Sequence, residues 1–290
     1  SHPPEPFVFC MSCTASLSRL NHSWWKTALL LVLFLGVGSW TDAHAQTIFT
    51  RPYQPSTFSV EAVAPTFSGD SLDAASGALF VSASYTLNTN IELMVELPVA
   101  RAGRNPSSST GIGNPLIGFG FSSTSVPLLV EVGARLPLAD DDLASRVGAF
   151  TDLGRGRAFQ PEERLGYLLG NTRIPIGRQT SLRIRSGFSY AAFPRDSAEG
   201  ERTETDVRIR YSAQLWREGD RLITGLTFTG RGTLTAPGGY GKKSIHHVAL
   251  STLIDIRRFA PGITIALPLD GSTRDVADTT IGLSLDIRID

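Results

Sequence analysis

Cysteine is nearly missing from this chain. The only two, Cys10 and Cys13, sit at its start. From Gln46 onward the chain needs no disulfide, and no Cys/His spacing of the zinc-binding kind occurs. Neither cysteine follows the apolar run at 28–37, where a lipoprotein cleavage site would place one. Lysine is almost as scarce (Lys26, Lys242 and Lys243), so arginine supplies nearly all the positive charge. Basic and acidic residues balance at 27 each, which leaves no basic footprint for nucleic acid. Beyond residue 45 no run approaches the roughly 20 apolar residues of a membrane-spanning helix. If this chain crosses a membrane, it does so with strands.

The first 45 residues read as a secretory signal peptide. Arg19 and Lys26 form a basic region, Ala28 to Val37 (ALLLVLFLGV) an apolar core, and Ala43-His44-Ala45 a small-x-small cleavage site before Gln46. The apolar run is too short for an anchor. Met11, preceded by Ser1 to Cys10, is a candidate start. Gln46 to Thr57 is a polar lead with Pro52 and Pro55, expected in the periplasm, and 58–290 is the barrel described next.

What the chain has in abundance is a dyad rhythm. Ile91, Leu93, Val95 and Leu97 face one way, and Glu92, Met94 and Glu96 the other. Val207, Ile209, Tyr211, Ala213 and Leu215 alternate with Arg208, Arg210, Ser212 and Gln214. Strands are expected at 58–66, 77–87, 90–99, 113–122, 127–137, 164–175, 180–193, 204–216, 220–231, 244–256, 260–268 and 279–289. Gaps after the even strands are tight. Those after the odd strands are long: 67–76, 100–112, 138–163, 194–203, 232–243 and 269–278. Apolar-out, polar-in strands with short turns on one side and long loops on the other specify a closed, antiparallel, all-β transmembrane barrel of about twelve strands. An even count puts both termini in the periplasm of a Gram-negative host. Tyr85, Phe121, Tyr190 and Phe228 fall toward strand ends, as aromatic girdles do. Pro98, Pro137, Pro175 and Pro268 sit at expected strand ends, where a missing donor is tolerated. Leu168-Leu169 breaks the alternation of the sixth strand, and Gln160 to Glu163 reads as a helical turn in the loop before it.

The inward face is heavily charged. Glu92, Glu96, Glu131, Arg135, Arg183, Arg185, Arg208, Arg210, Asp255, Asp286 and Arg288 all fall on it and line the expected lumen. Strands seven and eight are neighbours, so their four arginines form one basic stripe, with the acids of strands three and five elsewhere on the wall. Two readings are open: a salt-bridged interior that closes the barrel, or a charge-separated passage that orients a solute and favours anions. A cation preference unchanged by Arg208→Ser would remove the second.

Catalytic readings find little support. His246 and His247 are adjacent and face opposite sides of a strand, so they cannot share a metal in the usual way. His247, Ser251 and Asp255 share a face but lie two pleat steps apart, too far for a triad. Asp140-Asp141-Asp142 lacks the glycine-turn spacing of a calcium loop. Gly111 and Gly113 do not extend to a dinucleotide fingerprint, because Leu116 takes the third glycine position. Pro237 to Gly241 (PGGYG) is turn chemistry. No cofactor, metal or enzymatic activity is expected.

Two stretches resemble a known family. They are Tyr85-Thr86-Leu87-Asn88-Thr89-Asn90-Ile91-Glu92-Leu93, running on to Glu96-Leu97-Pro98, and Gly111-Ile112-Gly113-Asn114-Pro115-Leu116-Ile117-Gly118-Phe119-Gly120-Phe121. Together they are similar to the outer-membrane proteins of the meta pathway of phenol degradation. The resemblance covers about 40 residues. It implies a barrel of about twelve strands and, by association, passage of small organic, often aromatic, compounds. The chain departs from a common barrel signature in ending at Asp290 rather than an aromatic residue.

The function expected is an outer-membrane channel or facilitator for passive passage of small molecules, gated by loop 138–163. In that loop Arg155, Arg157 and Asp140 to Asp142 would meet the wall charges. Its partners are membrane lipid, the barrel assembly machinery and a small solute. The alternatives are a closed structural or adhesive surface barrel and, less favoured, a barrel lipid hydrolase.

Overall fold

The structure, a computed structural model, describes residues 56–289 apart from 68–75, 105–106, 123–126, 152–153, 198–199 and 236–243. The expected signal peptide, most of the lead and the PGGYG turn lie outside the described residues.

The strands are β1 (Thr57–Phe67), β2 (Gly77–Asn88), β3 (Ile91–Arg104), β4 (Ser107–Ile112), β5 (Leu116–Ser122), β6 (Leu128–Arg135), β7 (Arg164–Pro175), β8 (Thr180–Ser197), β9 (Gly200–Glu218), β10 (Leu222–Thr233), β11 (Ser244–Ile254), β12 (Phe259–Pro268) and β13 (Ala277–Arg288). Each pairs antiparallel with its neighbours, and β1 pairs with β13 and β2 with β3, so the sheet closes on itself, with a free edge only along short β4. β3 carries β5 along Ile91–Glu96 and β4 along Val99–Arg104. β4 and β5 therefore occupy one position, and the wall is a closed barrel of twelve strands.

Alternation decides which face is which. On β2, Phe80, Ser82 and Ser84 are buried inside while Leu79 and Tyr85 are exposed outside. On β13, Ile281, Leu283 and Leu285 are exposed and Asp286 is buried. Exposed Leu, Ile, Val or Phe ring the barrel on the other strands, with Ala62 and Ala64 exposed on β1, which leaves a large apolar belt uncovered. In a water-soluble domain that area would be a liability; around a closed barrel it is the surface that meets lipid. The aromatics Tyr85, Phe121, Tyr190 and Phe228 all face outward. Leu168 points out and Leu169 is buried inside against Leu116 and Tyr167, so β7 keeps its dyad pattern, with Leu165, Tyr167 and Leu169 on the inner face.

Two expected loops are partly strand. Residues 194–203 continue as a hairpin, with Phe193↔Glu204 and Asp196↔Glu201 still paired, and 100–112 as the β3–β4 hairpin. These segments run past the lipid belt and have no repeating apolar outer face, so alternation gives no sign of them, yet the backbone ladder continues. Pro98 also lies inside a strand rather than at its end. It sits where the partner of β3 changes from β5 to β4, and its carbonyl accepts the Gly113 N–H at 2.8 Å. A residue without a donor fits at that interruption.

The long β6–β7 connection folds into the barrel. It contains α1 (Leu143–Thr151) and a 3-10 turn (Gly156–Phe159). The helical turn expected at Gln160 to Glu163 thus falls just earlier, and α1 was not foreseen. Small residues let α1 approach the inner wall closely: Ala144 and Val147 pack with Ala78, Ala100, Ala102 and Val63. Phe159 meets Phe80 edge-on, ring centroids 5.9 Å apart. A single helical turn, α2 (Gly271–Arg274), precedes β13.

Candidate functional site: the occupied lumen

The inward-folded connection is held by one asparagine. Asn114, fully buried, stands in the break between β4 and β5. Its Oδ1 accepts the N–H groups of Leu138 and Ala139, each at 2.8 Å, and its Nδ2 donates to the Gln160 carbonyl at 2.7 Å. Its backbone carbonyl accepts from Arg135 Nη1 at 2.8 Å. Both ends of the connection are thus clamped to one wall residue. Gly113 beside it has no room for a side chain, because a Cβ would lie 2.3 Å from the Ala158 carbonyl and 2.8 Å from the Phe159 ring.

Charge reinforces the clamp. Arg155, buried at the centre of the connection, pairs with Glu61 at 2.6 Å and with Glu96 at 3.4 Å, and its guanidinium lies 4.6 Å from the Phe80 ring centroid. Glu96 is shared with Arg135 at 2.6 Å. Arg157 pairs with Glu163 at 2.6 Å, and Glu163 also takes Arg208 at 3.1 Å. Arg210 donates to the Gly154 carbonyl at 2.6 Å. Asp142 caps α1, accepting the Ser145 N–H at 2.7 Å and the Ser109 hydroxyl at 3.0 Å. Burial pulls the Asp142 carboxyl upward, but the hydrogen bonds from Ser145 and Ser109 outweigh it, so it sits below the ordinary aspartate value. Asp141 instead pairs with Arg146 at the surface.

Deeper in the barrel Glu131 joins Arg185 and Asn171. At the end with tight turns, Glu218 takes both Arg173 and Arg183. Asp255 pairs with Arg288 at 2.5 Å, and Asp286 accepts the Ser59 hydroxyl at 2.5 Å. Glu92 lies half-buried on the inner face near Gly120. The inward charges are therefore interleaved: Arg183, Arg185 and Arg208 meet Glu131, Glu163, Asp206 and Glu218 rather than standing with Arg210 as a separate stripe. Trp216, Ile223, Leu253 and Ala260 form an apolar cluster toward the tight-turn end, with Arg183 over the Trp216 ring at 5.3 Å.

Between this cluster and the folded connection lies a cavity of about 150 Å³, ample for several waters. Hydroxyl and amide groups from β9 to β13 line much of it, and its charged lining is three arginines (Arg155, Arg185 and Arg210) against one carboxylate, Glu61.

His246 and His247 do face opposite sides. His247 lines the cavity. His246 lies outside, where Tyr211 Oη meets its Nε2 at 2.7 Å, Asp270 its Nδ1 at 3.1 Å, and Phe228 stacks on its ring. Ser251 is hydrogen-bonded to Thr264 at 2.9 Å. Among the described residues no group of three or more His, Cys, Asp or Glu is placed to hold a metal.

Four residues central to this arrangement were missed in the sequence. Glu61 was legible from the dyad pattern, since Ser59 and Val63 share its face. Asn114 lies within the Gly-Asn-Pro stretch, but nothing local assigns it a partner. Glu163 and Glu218 fall in a loop and a turn, where alternation carries no information.

The sequence matches no protein family and no curated protein. Solved structures do resemble it. An outer membrane channel from Pseudomonas putida F1 superposes with a TM-score of 0.54 at 10% identity, over 85% of this chain and 99% of that one. The translocator domain of the autotransporter NalP from Neisseria meningitidis gives 0.52 at 11% identity, over 92% and 96%. At such identities the likeness is one of fold: this chain has the closed antiparallel barrel of outer-membrane proteins.

Proposed function

We propose that the protein is an outer-membrane channel through which small organic molecules pass by diffusion, with residues 138–163 as its gate. The observation that carries this reading is a cavity inside a lipid-belted barrel, lined by hydroxyl and arginine groups among apolar ones and covered by a folded connection that hydrogen bonds and ion pairs hold in place. A barrel needed only for structure does not require an open space beneath a folded connection. In this reading the tight turns and both termini face the periplasm, and the export route is the signal peptide. The likeness to a solved channel supports the reading at the level of fold, and the Gly-Asn-Pro and hairpin stretches add small aromatic compounds as candidate solutes. A non-catalytic role goes with it.

A second reading, a closed surface barrel without transport, is favoured by the interleaved ion pairs and by the Trp216 cluster that narrows the tight-turn end. Swelling of liposomes containing the refolded protein separates the two. The channel reading expects solute entry that falls with solute size. A correctly folded barrel that admits no solute removes it.

A further inference from the structure

The outer face of the barrel carries one polar rung inside its apolar belt. On β9 the alternation that turns Ala213 and Leu215 outward turns Arg217 outward too, since Trp216 beside it is buried inside. Arg217 stands between Thr180 of β8 and Thr224 of β10, and Thr224 is paired in turn with Thr252 of β11. All four side chains are half-buried. One pleat step toward the loops, the same four strands present Leu182, Leu215, Leu226 and Leu250. One step toward the turns, β10 and β11 present exposed Leu222 and Ile254. The rung is therefore a notch in the belt and not its aqueous rim. Among the described residues Arg217 has no ion pair, and the hydroxyls of Thr180, Thr224 and Thr252 have no hydrogen bond. The turns beside it add positive charge. Glu218 is taken by Arg173 and Arg183, and Asp255 by Arg288. Exposed Arg221 and Arg257, on the β9–β10 and β11–β12 turns, have no ion pair among the described residues, and Asp220 pairs with neither of them nor with Arg217.

We propose that this rung binds the phosphodiester of a membrane glycerophospholipid, with a preference for an anionic headgroup of the phosphatidylglycerol class. A guanidinium turned toward hydrocarbon is costly unless an anion meets it, and hydroxyls without partners there add to the cost. One phosphate answers both. Two of its oxygens match the planar fork of Arg217, and the others accept from the hydroxyls of Thr180 and Thr224. Strands lie about 4.8 Å apart, so these three side chains span one headgroup, and Thr252, one strand farther, meets its glycerol. The leucines on the loop side receive the acyl chains, which a soluble phosphate lacks. Arg217, Arg221 and Arg257 outnumber Asp220, and a net positive charge at headgroup level favours an anionic lipid over a zwitterionic one. With the tight turns in the periplasm, that lipid belongs to the periplasmic leaflet. The inference rests on the lipid-belted barrel and not on passage of a solute through it.

Native mass spectrometry of the delipidated, detergent-solubilised protein is the experiment, with dioleoylphosphatidylglycerol, dioleoylphosphatidylcholine and glycerol 1-phosphate as probes. The first phosphatidylglycerol is expected to bind about tenfold more tightly than the first phosphatidylcholine. Glycerol 1-phosphate, the same headgroup chemistry without chains, should not displace it at equal concentration. Arg217→Gln should weaken phosphatidylglycerol about tenfold. Thr224→Val keeps the shape and makes the face more apolar, so a wall merely solvated by lipid would hold lipid no worse. In this site the same change should weaken phosphatidylglycerol about threefold or more. Heat-modifiable gel mobility shows that each variant is folded, and Thr224→Val carries the test if Arg217→Gln does not fold. Equal affinity for the two lipids, affinity unmoved in the folded variants, or displacement by glycerol 1-phosphate at equal concentration overturns the proposal. Conductance without lipid preference would keep the channel reading and defeat this one; lipid preference without conductance would do the reverse.

Discussion

Asn114→Ala tests the clamp most sharply. The substitution removes the acceptor for the N–H groups of Leu138, which also bonds to the Leu136 carbonyl, and of buried Ala139, and the donor to the Gln160 carbonyl. Each bond contributes about 1 kcal/mol net, more where a buried partner is stranded without water. The three together come to about 3 kcal/mol, or roughly a hundredfold in the equilibrium between docked and released connection. The wall should be little affected, because Asn114 lies in the break between β4 and β5 and its own backbone bonds to Ala158 and Arg135 remain. Amide hydrogen exchange reads this directly. Leu138 and Ala139 should exchange roughly a hundredfold faster in the variant, while β8 and β9 amides keep their protection. Unchanged exchange at both residues would refute the clamp. Equal acceleration throughout the barrel would show that Asn114 holds the wall instead.

Three further outcomes follow from the same geometry. Gly113→Ala places a methyl group 2.3 Å from the Ala158 carbonyl, so the 3-10 turn must shift; exchange at Ala158 and Phe159 should rise, and unaltered protection there would count against tight docking. Arg155→Leu removes the guanidinium that pairs with Glu61 while Glu96 keeps Arg135; losing one partner of a buried pair costs about 3–5 kcal/mol, read as a lower thermal midpoint in detergent, and an unchanged midpoint would show the pair to be idle. Asp142 has a folded value below its unfolded one, so its contribution is complete above about pH 4 and is lost as pH falls through the folded value. Exchange of α1 amides, corrected for intrinsic rates, should rise in that acid window in the native chain and be high and flat in Asp142→Ala; a flat native profile down to pH 2 would contradict the cap.

The barrel was legible because alternation and loop parity are both consequences of a lipid belt. β7 was expected and found at 164–175. Legibility ended where lipid ended. The hairpin beyond Phe193 and the β3–β4 extension carry no repeating apolar outer face, so only the backbone ladder reveals them. The lumen was partly legible: charges were assigned to the inner face from period two, but their partners depend on how the connection folds. Arg155 and Arg208 meet Glu61 and Glu163 across 94 and 45 residues, and no local pattern links such positions. Asn114 shows the same limit from the other side. Its neighbours drew attention as part of a resemblance, while its work, joining both ends of the connection, is visible only in three dimensions.

The central claim is that the folded connection closes a passage. Single-channel conductance in a planar bilayer tests it, comparing the refolded chain with a variant in which a short turn replaces 138–163. The account predicts rare, small steps from the intact chain and a larger, steady current from the variant, with both barrels folded by gel mobility. Equal conductance in the two, or none in either, would contradict it.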